Sequence, residues 1–127
     1  MASDADLTNE FFQVRRHSDI AVVVPSPRIE HLPETLLQPA AQMVLAPLKE
    51  DPPNQIIVDL SQVGYFGSAF ITFLLRCHEI VRARGSDLSL AGVNPQIREL
   101  LKTTNLDTLW ALYDTANEAT EALGGVD

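Results

Sequence analysis

A single cysteine, Cys77, stands among the 127 residues of this chain. One thiol cannot close an internal disulfide, which fits a reducing compartment. Metal-ligand spacing is missing as well: His17, His31 and His78 have no Cys or His placed to share a metal with them. His78 adjoins Cys77, but neighbours on a helix point about 100° apart and chelate one ion poorly, so no zinc pattern is present. No apolar run approaches the roughly 20 residues that span a bilayer. The stretch Met1 to Glu10 is acidic and polar, without the basic and then apolar segments of a secretory signal, and a cytoplasmic location is expected. Positive charge is scarce: 9 Lys and Arg face 17 Asp and Glu, a formal net charge of −8. Such a chain is repelled by nucleic-acid phosphates and by anionic membranes, so no nucleic-acid partner and no membrane insertion are expected. Internal repeats, low-complexity tracts and glycine-rich phosphate loops of the Walker or dinucleotide type are absent. No Ser-His-Asp set can be assembled with confidence. The expectation is a protein that is not an enzyme, with no catalytic residues, no cofactor and no metal.

What is present suits one domain with a modest core. Residues 1–9 are expected to form a loose tail and 10–127 the domain. Phe11 to Arg16 and Ile20 to Val24 read as two strands joined tightly through His17, Ser18 and Asp19. The unbroken run Ala21 to Val24 implies a strand covered on both faces. After Pro25-Ser26-Pro27 a helix is expected within Leu32 to Lys49, burying Leu36, Leu37, Ala40, Met43, Val44 and Leu48. Pro39 and Pro47 are expected to kink or end it. Asp51 to Asn54 reads as a turn and Gln55 to Asp59 as a core strand. The clearest element is a helix from Ser68 to Arg84, with Phe70, Phe73, Leu74, Cys77 and Val81 on one face and Thr72, Arg76, Glu79 and Ala83 on the other. Gly85 supplies its left-handed stop, and Arg82 and Arg84 answer the negative end of its dipole. Leu88 to Ala91 is a further strand. Asn94-Pro95 opens a helix that buries Ile97, Leu100 and Leu101 and ends near Asn105. Leu109 to Tyr113 is the last strand. Asp114 is expected to cap a final helix that Gly124-Gly125 ends. The order β-β-α-β-α-β-α-β-α predicts an α/β domain with one mixed sheet: an antiparallel hairpin, then parallel strands linked through helices.

One position concentrates the chemistry. Ser68 follows Phe66 and Gly67 at the start of the long helix, where free backbone N–H groups and the positive dipole end converge. Such a place can hold a phosphate. Two readings stand side by side. As an N-cap, Ser68 would contribute about 0.5–2 kcal/mol to the helix. As a phosphoacceptor, it would gain about −1.5 to −2 charges, tolerated by the helix but costly to a docked partner. Other residues read more plainly. Asp59, at the C-terminal end of a strand, has no base, nucleophile or metal partner placed with it and reads as a loop cap. Cys77 reads as a small core hydrophobe, and Trp110 as core. Phe66, Phe70 and Ile71 form an apolar cluster around Ser68, any exposed part of which would suit protein binding.

Three stretches together carry a family likeness: I-I-V-D-L-S-Q-V-G-Y-F-G-S-A-F at 56–70, R-A-R-G-S-D-L-S-L-A-G-V-N-P at 82–95, and I-R-E-L-L-K-T-T-N-L-D-T-L-W at 97–110. With the element order, they resemble the STAS domain, the fold of bacterial anti-sigma factor antagonists, over about Asp19 to Leu123. In that family the helix start carries Asp-Ser-Ser-Gly or Asp-Ser-Thr-Gly, and the first Ser is phosphorylated by a partner kinase that is also the anti-sigma factor. The unphosphorylated antagonist binds that kinase and frees the sigma factor; phosphorylation breaks the complex. The resemblance places Ser68 at the phosphorylated position. It departs from the motif at three places: Gly67 stands for the Asp, Ala69 for the second hydroxyl residue and Phe70 for the Gly.

The resemblance thus implies a regulatory binding domain. Its partner would be an anti-sigma factor and serine kinase of the histidine-kinase-like ATPase type. The partner surface is expected at Phe66, Gly67, Ser68 and Ala69, with Arg28 and His31 added from the loop after the second strand, which should approach the Ser68 helix. A weak homodimer remains compatible with the sequence. Two alternatives stay open: a STAS scaffold that is never phosphorylated, within a signalling assembly or as the soluble subunit of a transporter, and a small-ligand sensor of nucleotide or lipid, which rests on fold analogy alone.

Overall fold

The computed structural model of the chain describes residues 6–8, 11–17 and 19–124. Six strands form one sheet in chain order: β1 (Asp6–Thr8), β2 (Phe12–His17), β3 (Ile20–Pro25), β4 (Gln55–Asp59), β5 (Ser89–Ala91) and β6 (Ala111–Tyr113). The pairs β1–β2 and β2–β3 are antiparallel, and β3–β4, β4–β5 and β5–β6 are parallel. The mixed sheet expected from the sequence is therefore present, with one more strand. Asp6–Thr8, expected within a loose tail, pairs along β2 with Leu7 opposite Val14. The rest of that tail (residues 1–5 and 9) lies outside the described residues, as does residue 10 at the expected start of the domain. The hairpin is as tight as predicted, because His17 pairs with Ile20; Ser18 lies outside the described residues.

Four helices complete the domain: α1 (Glu34–Glu50), α2 (Ser68–Arg82), α3 (Pro95–Thr103) and α4 (Ala116–Ala122). Short 3-10 turns sit at Pro27–His31 and Leu106–Thr108. From β3 to β6 the strands step steadily across the sheet. Right-handed crossovers with one direction of travel put their helices on one face, and α1, α2 and α3 share one core there. Phe12, Val14, Ala21, Val23, Ile56 and Val58 meet Leu45, Phe73, Leu74 and Ile97 in it. The other face carries a smaller core of Ile20, Val22, Ile57, Ala91 and Ala119 under α4. This two-sided cover explains the unbroken apolar run of β3: Ala21 and Val23 face one core, Ile20 and Val22 the other.

Helix α1 departs from expectation in two ways. It runs through Pro39 and Pro47 without ending. The carbonyls that these prolines cannot bond, on Thr35 and Met43, belong to exposed residues, where water can reach them. Its buried face is set one position over from the predicted one. Leu37, Ala40, Val44 and Leu48 are buried as expected, joined by Ala41 and Leu45, while Leu36 and Met43 are 54% and 63% exposed.

Helix α2 buries the predicted stripe of Phe70, Phe73, Leu74, Cys77 and Val81, and Ile80 as well. Cys77 is wholly enclosed, and burial pushes its thiol pKa well up. Gly85, at φ 84°, ends the helix as predicted. The Ser86 N–H reaches the Val81 carbonyl and the Gly85 N–H that of Arg82, closing the last turn in a Schellman arrangement. Arg84 does more than answer a dipole: its Nε donates to Asn54 Oδ1 at 2.8 Å and ties the helix end to the turn before β4.

Asn94 caps α3 as expected, accepting from Ile97 N–H at 2.7 Å. Leu100, expected in the core with Ile97 and Leu101, is half-buried against it. The helix ends at Thr103, before Asn105 turns left-handed at φ 63°. Leu109 caps the 3-10 turn that follows, so β6 begins at Ala111, two residues later than read, and Leu109 is 43% exposed. Trp110 is buried in the core as predicted. The cap of α4 is Thr115, not Asp114: its Oγ1 accepts from Glu118 N–H at 3.1 Å. Gly124 turns at φ 86° beyond α4; Gly125, the second glycine of the predicted stop, lies outside the described residues.

Candidate functional site

The segment between β4 and α2 lies at the C-terminal ends of the parallel strands, where α/β sheets offer their ligand and partner sites. Three neighbours hold it. At its start Asp59 Oδ1 accepts from Ser61 N–H at 3.0 Å, the loop cap expected of it. Leu60 N–H then donates to the Ala91 carbonyl at 2.8 Å, and Ser61 packs against Gly92. A Cβ at Gly92 would lie 2.9 Å from Ser61 Cβ, and φ there is 69°, so position 92 requires glycine on both counts. Further along, the Gly64 peptide is held from both sides. Its N–H donates to Glu30 Oε2 at 2.8 Å, and its carbonyl accepts from Asn94 Nδ2 at 3.1 Å. Asn94 therefore caps α3 and braces this segment with the same amide group.

Phe66 then drops into the core. Its ring lies 4.7 Å from that of Phe70, and the series continues through Phe73 at 5.4 Å to Phe12 at 5.0 Å. The expectation that Phe66 forms part of a partner surface is corrected: at 4% exposure it anchors the loop from below. Phe70, where the family motif has Gly, is buried beside it and simply packs. Ile71 is half-buried against the same core.

Ser68 is not the cap of α2. Gly67 is, with an extended backbone, and its carbonyl accepts from Phe70 and Ile71 N–H. Ser68 is the first helical residue. Its side chain is therefore not spent on a cap and stands exposed at the positive end of the helix. Its carbonyl accepts from Thr72 Oγ1 at 3.3 Å. Its own Oγ donates to Glu34 Oε2 at 3.4 Å, a long hydrogen bond that joins the first turn of α1 to the first residue of α2.

That carboxylate lies beside Gly67 without requiring a glycine there. A Cβ there would be 3.6 Å from Glu34 Oε2 and near nothing else. Its φ of −106° and ψ of −166° suit any residue, so the backbone does not demand glycine. Sequence reasoning missed Glu34 and Glu30. Their partners lie 34 residues away in each case, and no local pattern reports such a contact.

The hollow around Ser68 has a volume of about 450 Å³ and is lined by Glu34, Thr35, Gln38, Ser68, Ala69 and Thr72. Gln38, Ala69 and Thr72 also line a groove of about 290 Å³ between α1 and α2, floored by Leu45 and Phe73. The two form one continuous furrow. Gly67 is exposed and Ala69 half-buried at its end. The loop after β3 approaches this site as expected, through Glu30. Arg28 and His31, however, line a different hollow with Phe11 and Leu32. Among the described residues no group of three or more His, Cys, Asp or Glu is placed to hold a metal, and no helix is long and apolar enough to cross a membrane.

The fold is a single α/β domain with one mixed sheet, and an exposed serine opens α2 beside the groove between α1 and α2. The family described as "Mlab, STAS domain" matches residues 33–113, and the chain belongs to the STAS family. Proteins to which the chain is similar include several named as anti-sigma factor antagonists. A Thermotoga neapolitana protein named as an anti-sigma factor antagonist homologue is 31% identical over 72 residues, which is 57% of this chain and 64% of that protein. The chain thus matches less than two thirds of this curated relative's length. The structure of a STAS-domain anti-sigma factor antagonist from Planctomyces limnophilus superimposes with a TM-score of 0.77 at 28% identity, covering 88% of this chain and 97% of that one. The antagonist SpoIIAA in its unphosphorylated form shares the fold, with a TM-score of 0.74 at 15% identity over 91% of this chain and 98% of its own.

Proposed function

We propose that this protein is an anti-sigma factor antagonist that binds an anti-sigma factor kinase through the start of α2, and that phosphorylation of Ser68 releases it. The carrying observation is the placement of Ser68. It is the first residue of α2, exposed, relieved of capping by Gly67, and opens a furrow wide enough to receive a partner's side chains. The partner would be a serine kinase of the histidine-kinase-like ATPase type, in the cytoplasm. It would contact Gly67, Ser68, Ala69 and the α1 side of the furrow. Arg28 and His31 would serve at the margin of this surface, through the loop that Glu30 holds to Gly64. A phosphate on Ser68 Oγ adds about −1.5 to −2 charges in the middle of that contact. Each loss of about 1.4 kcal/mol in binding is tenfold in affinity, so a few kcal/mol of repulsion and desolvation free the partner.

The test uses immobilised wild type, Ser68→Ala and Ser68→Asp exposed to lysate of the native cell, with mass spectrometry of the retained proteins. An ATPase-fold anti-sigma factor kept by wild type and Ser68→Ala and lost by Ser68→Asp is the expected result. Equal retention by all three overturns it.

A second reading has one specific observation in its favour. Gly67 and Ala69 remove the carboxylate and second hydroxyl of the family motif, which suits a STAS scaffold that is never phosphorylated. Retention of other STAS proteins or of a transporter ATPase by all three baits would identify that role.

A further inference from the structure

Glu30 and Glu34 are four residues apart, on the 3-10 turn and the first turn of α1, and both reach the segment that leads into α2. Glu30 accepts from the Gly64 N–H at 2.8 Å, and Glu34 accepts from the Ser68 hydroxyl at 3.4 Å. Each carboxylate lies beside a glycine, at a distance that a Cβ would tolerate. Cβ atoms at Gly64 and Gly67 would be 3.5 and 3.6 Å from Glu30 Oε2 and Glu34 Oε2 respectively. Residues 30–34 are thereby held against residues 64–68 at two points, one fixed on a backbone amide and the other on the serine side chain.

We propose that Glu34 is the positioning residue of Ser68, supplying from α1 the carboxylate that position 67 lacks, and that it transmits the charge state of Ser68 to the Pro27–His31 turn. This rests on the reading of Ser68 as a modified residue and adds the means of its regulation. With a free hydroxyl, Glu34 accepts its proton in a hydrogen bond, which orients Oγ toward the furrow. With a phosphate on Oγ, the acceptor faces about −1.5 to −2 charges at contact distance and has no proton to receive. Like charges this close repel strongly even near a surface, so Glu34 leaves. One of the two points of attachment is then gone. Of the two hydrogen bonds between residues 30–34 and 64–68, only that of Glu30 then remains, next to a new anion at residue 68, while Ile29 keeps the turn seated in the core. A carboxylate at position 67, on the same strand-to-helix segment as the serine, could orient the hydroxyl but would have no such link to α1. The displacement of the acid from 67 to 34 thus converts a local group into a connection between two elements.

The experiment installs phosphoserine at position 68 during translation, in the wild-type and Glu34→Gln backgrounds, and follows amide hydrogen exchange by mass spectrometry at low salt and in 1 M NaCl. In the wild-type background, phosphoserine is expected to speed exchange across residues 27–35 and at Gly64 by about tenfold, less so in high salt. In Glu34→Gln, whose amide can donate to the phosphate, serine and phosphoserine forms are expected to exchange alike. An equal acceleration in both backgrounds, or none in the wild type, overturns the inference. Since the phosphate is supplied without a kinase, the outcome is independent of whether cells phosphorylate Ser68. Failure of the partner reading would appear as unchanged retention in the lysate experiment, and failure of the Glu34 link only here.

Discussion

The two faces of the sheet differ in what covers them, and the difference explains where the site can lie. One face is roofed by α1, α2 and α3, whose apolar stripes interlock around Phe73, Leu74, Leu45 and Ile97. Among the described residues the other is roofed by α4 alone, a helix of seven residues whose one fully buried side chain is Ala119. Beside α4 that face is mixed: Arg15, His17 and Asp59 line a hollow there with Val22 and Val24. The three crossover helices are obliged to pack on one side by the direction in which the strands advance. Helix α4, after β6, covers part of the face that the first three leave open. Ser68 is mounted on the heavily packed side, at the end of a helix whose opposite face is locked into the core. A charge change there acts on a rigid support, and its effect passes to the contacting loop rather than dissipating in the helix.

The largest effect should separate the faces directly. Phe73→Ala, under the three helices, is expected to cost about 3–5 kcal/mol, whereas Leu123→Ala, half-buried beside α4, is expected to cost about 1 kcal/mol. Urea unfolding measures both, and similar losses would erase the distinction between the faces. Next comes the edge that both cores share, at the C-terminal ends of the strands. Gly92→Ala puts a Cβ on a left-handed residue against Ser61 and is expected to lose about 1–3 kcal/mol, with the segment before Ser68 disturbed. A melting temperature within a degree of wild type would mean that the loops move apart freely there.

The smallest effect concerns Cys77, in the middle of the thick face. Burial raises its thiol pKa in the folded state above the ordinary 9.0. The folded chain keeps the proton that the unfolded chain gives up, so the contribution to stability is whole below pH 9 and declines as pH rises past it. The difference in stability between wild type and Cys77→Ala should therefore fall above pH 9, by at most about 1.4 kcal/mol per pH unit. A difference that is flat with pH would show that the thiol meets water.

Most of the fold was legible because it is written in short-range patterns. The apolar run of β3, the stripe of α2, the Asn94-Pro95 start and the Gly85 stop each express a local preference, and each formed where predicted. The misreadings came where neighbouring structure overrode the local signal. Met43 and Leu36 look like core residues by spacing, but α1 settles on Leu37, Ala41 and Leu45 because these face α2 and the sheet. Pro39 and Pro47 look like breaks, but the carbonyls they orphan lie toward solvent. The site itself was half legible. Ser68 was visible as the residue that opens the helix, and its family position followed. Its state was not, since only the placement of Gly67 as cap releases the hydroxyl, and only the approach of α1 brings Glu34 to it.

The sequence by itself determined the order of elements, the mixed sheet, the buried stripe of α2 and the serine at its head. These depend on periodicity, capping and turn residues within a few positions of one another. Only the packed fold shows that Phe66 is buried beneath the loop, that Arg28 and His31 line a separate hollow, and that Glu34 reaches the Ser68 hydroxyl. Those outcomes depend on groups distant in sequence meeting in space, Phe12 with Phe73, Phe11 with Arg28 and His31, and Glu34 with Ser68, where the sheet pairing and the packing of α1 on α2 set the distances.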